Sequence, residues 1–142
     1  MIVVDANLLI YSVDTTSPYH AAARKWWDQT LSGDQAVALT WESINAFVRI
    51  TTNARVFKWP STVQAAIDHV NRWLDQPNVR LITPTNQHWQ IFSNLLIESG
   101  CTGNLITDAQ LAALAIEHDA VLCTTDQDFA RFQGLQWRNP IQ

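Results

Sequence analysis

Five acidic side chains stand where they could work together: Asp5, Glu42, Asp108, Asp126 and Asp128. Asp5 ends the apolar run Ile2-Val3-Val4, and Glu42 lies three residues beyond a second run, Ala36 to Leu39. Asp126 and Asp128 follow a third, Val121 to Cys123. Asp108 falls in the first turn of a helix whose Leu105, Ile106, Leu111, Leu114, Ala115 and Ile116 leave little solvent face, as in a buried helix. A carboxylate in that setting costs several kcal/mol unless it is paired or binds a cation. No Lys or Arg lies between Arg80 and Arg131, so a divalent metal is the expected partner. Mg2+ takes oxygen ligands, keeps several waters and is often bound through one or two carboxylates together with a phosphate substrate. Such an ion activates water and neutralises phosphoryl oxygens, which is the equipment of phosphodiester hydrolysis.

Other chemistries lack their residues. The four histidines, at 20, 69, 88 and 118, form no HxxxH-type pair for zinc. Neither a GxSxG elbow nor a GxxxxGK[ST] loop is present.

The elements that must position these acids alternate strand and helix. Ile2–Val4 suits a strand covered on both faces, and a short helix, Ala6 to Val13, follows. Ser17 with Pro18 predicts the start of a second helix, its inner face Tyr19, Ala23, Trp26, Thr30 and Leu31. A strand at Ala36–Leu39 leads through the cap Thr40 into a third helix with Trp41, Ile44, Val48 and Thr51 inward and Glu42, Asn45 and Arg49 on another face. Ser61 to Gln64 has capping-box spacing and opens a helix with Val63, Ile67, Val70 and Leu74 as its core stripe. A strand at Val79–Ile82 and a helix from about Asn86 to Ser99, with Trp89, Phe92, Leu95 and Leu96 inward, precede the helix of Asp108. Leu135–Trp137 reads as an edge strand. This alternation predicts one α/β domain over residues 1–142 with a mostly parallel sheet and right-handed crossovers. Sites in such sheets gather beyond the carboxyl ends of the strands, so the acids fall along one rim. Asn104 and Asp108, at i and i+4, would share a helix face turned to it.

At 142 residues and 47% hydrophobic, the chain is long and apolar enough for a real core. The net charge of −4 is a poor match to holding nucleic acid by bulk charge, although Asp5, Glu42, Asp108 and Asp126 alone account for all of it. Cys101 and Cys123 suit reduced core thiols of a cytoplasmic protein, and no signal peptide or membrane span is visible. Arg49, Arg55 and Lys58 follow Glu42 closely and are candidates to touch substrate phosphates or a neighbouring subunit. Trp26 and Trp27 cannot both point inward on a helix, which leaves one for a rim or a partner groove. His118 is read as a favourable helix-end residue.

Four segments, VVDANLLIY (3–11), TWESINAFVRITTNARVF (40–57), NLITDAQLAALAIEHDAVLCTTDQDFARF (104–132) and GLQWRNP (134–140), resemble PIN-domain nucleases, and within them VapC-type toxins of prokaryotic toxin–antitoxin modules. The resemblance implies a three-layer α/β/α sandwich and Mg2+- or Mn2+-dependent endoribonuclease activity. Asp5, Glu42, Asp108 and Asp126 match the family's four acids in order, Asp128 an accessory acid, and Asn7 and Thr124 polar positions beside the site. Ala54 stands where many relatives have Pro. By the same resemblance Asp5 and Asp108 would be the main metal ligands, with Glu42 and Asp126 holding waters, orienting the attacking water or binding a second ion. A VapB-like antitoxin, a homodimer, and contact with DNA only through the antitoxin are also implied. The rival readings are a haloacid-dehalogenase-like phosphatase, which needs an Asp where Asn7 stands, and a non-enzymatic module whose acids hold a structural ion.

Overall fold

A computed structural model describes all residues, Met1 to Gln142. Five short strands, β1 (Ile2–Val4), β2 (Val37–Leu39), β3 (Val79–Leu81), β4 (Val121–Cys123) and β5 (Trp137–Arg138), pair in the order β3-β2-β1-β4-β5. Every pairing is parallel, with Val3 opposite Ala38 on one side and Leu122 on the other. The helices are α1 (Ala6–Val13), α2 (His20–Leu31), α3 (Trp41–Thr51), α4 (Val63–Leu74), α5 (His88–Ser99) and α6 (Leu105–Glu117), with a 3-10 turn at Gln127–Arg131.

Period-two alternation divides the strands between two cores. Ile2, Val4, Val37, Leu39 and Cys123 face α1 to α4, where Leu8, Leu9, Trp27, Phe47 and Trp73 fill the layer. Val3, Ala38 and Leu122 face the other way, against Leu95 of α5, Ala109 and Leu111 to Ala115 of α6, and Phe129 and Phe132. Helices therefore cover both sides of the sheet, which is the three-layer α/β/α sandwich. Both cysteines are free and buried, and no helix is long and apolar enough to cross a membrane.

Several local expectations are corrected. Ser17 does not cap α2: its Oγ accepts the Tyr19 N–H in a turn through Pro18, and the helix begins at His20. On α2 the inward residue is Trp27, held edge-on to Trp73, while Trp26 is half-buried beside it and Tyr19 is exposed. On α3, Phe47 rather than Trp41 enters the core, and Trp41 is exposed. Thr62, not Ser61, caps α4 by accepting the Ala65 N–H. The stripe of α4 is Ala66, Val70 and Trp73, which leaves Val63 and Ile67 in solvent. Trp73 decides this rotation, because its ring meets Phe47 at 4.8 Å and Trp27 at 5.8 Å. Trp89 is likewise exposed, at the start of α5. His118, by contrast, is the C-cap of α6 as expected of a helix-end residue, and its Nε2–H donates to the Thr83 carbonyl at 2.8 Å.

Phe47 is fully buried between Trp73 and His69. Phe47→Ala is expected to lower the free energy of unfolding by about 3–5 kcal/mol, read from urea denaturation at constant slope.

Candidate active site

The chain places its acids by topology. Strand order reverses at β1, with β2 and β3 to one side and β4 and β5 to the other, and a crevice opens at the carboxyl ends there. Helices α1 and α3 follow strands and start at that rim. Helix α6 precedes β4, so it runs antiparallel to the strands and its first turn lies at the same rim. The partial positive charge at a helix N-terminus favours nearby anions, and Asp5, Glu42 and Asp108 lie at the three N-termini of α1, α3 and α6.

Between these helices lies an open cleft of about 470 Å3, lined by Asp5, Asn7, Glu42, Arg49, Asn104 and Asp108, with Ser43 and Thr107 among them. Residues from three separate stretches of chain thus meet on one surface. Asp126 and Asp128 do not line the cleft, yet their charges reach Asp108. Arg55 is exposed on the loop after α3 and Lys58 lines a different hollow, so of the three proposed phosphate contacts only Arg49 stands in the cleft. Ser43, buried and hydrogen-bonded to Thr40, and Thr107, beside Asp108, were not singled out from the sequence. Thr107 had one available signal, its place next to an acid on a helix's first turn.

Asp5 is held tightly. Its Oδ1 accepts the Ala6 N–H at 2.7 Å and its Oδ2 accepts the Thr124 hydroxyl at 2.7 Å. Thr124 is fully buried, and its Oγ1 also accepts from Asn7 Nδ2 at 3.3 Å and from the Asp126 N–H at 3.0 Å. One hydroxyl therefore uses its single donor and both acceptor positions to tie β4 to β1. Asp126 in turn accepts the Asp128 N–H through Oδ1 at 2.8 Å and caps the 3-10 turn.

The electrostatics show what the arrangement lacks. Burial raises the Asp5 carboxyl, opposed by its bonds from Thr124 and Ala6, and the charge of Asp126 raises it further. Asp108 is pushed up to about 6, first by burial and then by Asp126, Asp5 and Asp128, with Arg131 pulling weakly the other way. Arg131 lies 3.5 Å from Asp128. Like-charged carboxylates that raise one another in this way are relieved by a cation. No three His, Cys, Asp or Glu side chains form a ready-made cage for an ion. Mg2+ needs none, being commonly held by one or two carboxylates with water and substrate oxygens completing the shell. The donors are all oxygens, and Asn7 Oδ1 is buried with no hydrogen-bond partner. These residues fit a hard, hydrated divalent cation and not a soft one.

Because the folded-state value of Asp108 lies above its ordinary 3.8, the folded protein retains a proton that the unfolded chain releases between these values. This contribution to stability is lost as pH rises from about 4 to about 6. In EDTA, Asp108→Asn should therefore melt a few degrees above the parent at pH 8. The gain should shrink through pH 6 and vanish below the ordinary carboxylate value, as read by calorimetry; equal melting temperatures at pH 8 would show that the cluster carries no repulsion.

Comparison with known proteins agrees with this geometry. The PIN domain family model matches residues 2–135. Ribonuclease VapC33 of Mycobacterium tuberculosis is 44% identical over 142 residues, covering 100% of this chain and 99% of that protein. Ribonuclease VapC37 of the same organism is 43% identical over 140 residues, covering 99% and 97%. Among solved structures, VapBC2 of Rickettsia felis bound to a promoter DNA fragment superposes with a TM-score of 0.69 at 17% identity, over 98% of each chain. VapC20 of M. tuberculosis, a sarcin–ricin-loop-cleaving toxin, gives 0.69 at 16% identity, over 96% of this chain and 99% of that one. With its strand order, its rim of acids and relatives matched along their whole length, the chain belongs to the PIN domain family, among its VapC-type members.

Proposed function

We propose that this protein is a VapC-like toxin, an endoribonuclease of the cytoplasm that hydrolyses RNA phosphodiester bonds with Mg2+ or Mn2+. The observation that carries this reading is the meeting of Asp5, Glu42 and Asp108 with one cation, Arg49, in a single open cleft. Asp5 and Asp108 would hold the ion. When bound, it polarises the scissile phosphate and lowers the pKa of water. Glu42, in the first turn of α3, orients the attacking water and takes its proton. Arg49 contacts a substrate phosphate, and Asn7 and Asn104 supply neutral oxygens and N–H donors at the margin. Asp126 adds negative charge toward Asp5 and Asp108, which strengthens cation binding. Asp128 supports it from outside the cleft.

Thr124 is a positioning residue. Its hydroxyl fixes one Asp5 oxygen while its two accepted bonds hold Asn7 and the Asp126 backbone, so the carboxylate keeps one orientation without a metal. A cognate VapB-like antitoxin belongs to the same reading, supported by structural neighbours that are VapBC complexes from R. felis and nontypeable Haemophilus influenzae; a homodimeric assembly is proposed with it.

The test is cleavage of total RNA by the purified chain in Mg2+, in Mn2+ and in EDTA. Activity should require the metal and fall by about two or more orders of magnitude in Asp5→Ala and Asp108→Ala. Undiminished cutting by both variants would remove the assignment. Thr124→Val, which keeps the shape and deletes the hydroxyl, should raise the Mg2+ concentration for half-maximal rate by about 10- to 100-fold; an unchanged metal requirement would show that Thr124 does not orient Asp5.

A further inference from the structure

A groove of about 730 Å3, roomier than the acid cleft, lies at the other ends of the same two helices. Ile10 and Ile50 line the cleft; their chain neighbours Tyr11 and Thr51 line the groove. Tyr11 lies six positions after Asp5, about 9 Å along α1 at the helical rise of roughly 1.5 Å per residue. A stacked strand covers that distance in about two or three nucleotides at roughly 3.4 Å each.

The walls of this groove are aromatic. Trp59 is 82% exposed and Tyr19 is 53% exposed, and Tyr19 stands 5.1 Å from the ring of Tyr11. Lys58 Nζ lies 5.8 Å from the centre of the Trp59 ring. Trp59 is held out by structure, since the Ser61 N–H donates to the Thr51 carbonyl at 2.8 Å and closes the loop that carries it. The one carboxylate in the groove, Asp14, is engaged by the Thr16 N–H and hydroxyl.

Charge chooses the occupant. No Asp or Glu occurs between Glu42 and Asp68, while Arg49, Arg55 and Lys58 all fall there. None of the three makes an ion pair. In a chain of net charge −4, this is an uncompensated positive segment running from the cleft to the groove. Exposed aromatic faces beside unpaired cations are the two parts of a single-strand nucleic-acid platform.

We propose that the groove of Tyr11, Tyr19 and Trp59 is a stacking subsite for unpaired nucleotides of the RNA, a few positions from the bond held at Asp5 and Asp108. The proposal rests on the ribonuclease reading of the cleft and assigns it a substrate class, single-stranded RNA. Bases stack on Trp59 and Tyr19, Lys58 meets a phosphate at the groove, and Arg49 meets one at the cleft.

The test is fluorescence anisotropy of a fluorescein-labelled, unstructured 12-nucleotide RNA of mixed sequence in Mg2+, with the full chain carrying Asp5→Asn. Adding Trp59→Ala should weaken binding by roughly 5- to 100-fold, and Trp59→Tyr should restore most of it. Lys58→Ala should reduce the dependence of log K on log salt by about 0.7. Because Trp59 and Lys58 are exposed, their melting temperatures should match the parent. Binding by Trp59→Ala within twofold of the parent, or no binding of the 12-mer by the parent, overturns the subsite. The former result points to a protein segment as the occupant. Loss of cleavage in Asp108→Ala with unchanged RNA binding in Trp59→Ala removes the groove and leaves the nuclease. Retained cleavage in Asp108→Ala removes the nuclease reading.

Discussion

The structure turns on carboxylates that repel one another and are nevertheless brought to one edge of a sheet. Nothing in the apolar sandwich requires this. Asp5 is raised by burial and by Asp126, and Asp108 by burial and by three acids, so each opposes folding near neutral pH. The fold tolerates them through local means. Three helix N-termini face the rim, Thr124 and the Ala6 N–H each bond an Asp5 oxygen, and Arg131 draws off part of the charge of Asp128. None of these neutralises Asp108. The residual repulsion would favour a bound cation.

Parallel topology makes this convergence economical. A strand that leads into a helix delivers its last residue to the helix N-terminus, so Asp5 is at once the end of β1 and the cap of α1. A helix that leads into a strand delivers its first turn to the same rim, which is how Asp108 arrives from more than a hundred residues away. Thr124 then ties the two halves together across β1 and β4, with bonds to residues 117 and 119 positions distant. The tie sits where the order of the strands reverses, which is also where the sheet leaves room for a substrate.

What the sequence revealed follows from how local each signal was. The boundaries of α1, the cap Thr40, the end of α5 at Ser99 before the left-handed Gly100, and β4 were all legible, because each depends on a few adjacent residues. Helix faces were less so. On α4 the residues Val63, Ile67, Val70 and Leu74 make a plausible stripe, as do Ala66, Val70 and Trp73, and only contact with Phe47 and Trp27 selects the second. Trp89 and Trp41 misled for the same reason, since large apolar residues signal burial only on average. Of the site, Asp5 and Asp108 could be placed from their elements and Glu42 only from the assembled rim. Ser43 lay beyond reach and Thr107 was marked only by its place beside Asp108, because hydroxyls in a helix's first turn are ordinary until the tertiary fold turns them into a cleft.

The net charge of −4 argues against gathering a polyanion by bulk attraction, but the sum hides how the charge is distributed. Charge here is sorted by place. Acids are concentrated at the rim, where a divalent ion would reverse their sign toward a phosphate. The stretch from Ser43 to Ile67 carries only cations and runs along α3 into the loop of Trp59. A polyanion approaching the rim meets a surface whose potential depends on whether the metal is present, beside one whose potential does not. Such a division separates holding the strand from cutting it. On the proposed reading the first would rest on Arg49, Lys58 and the exposed rings, and the second on the ion. A chain with few basic residues can then handle RNA without an electrostatic field strong enough to bind every nucleic acid it meets.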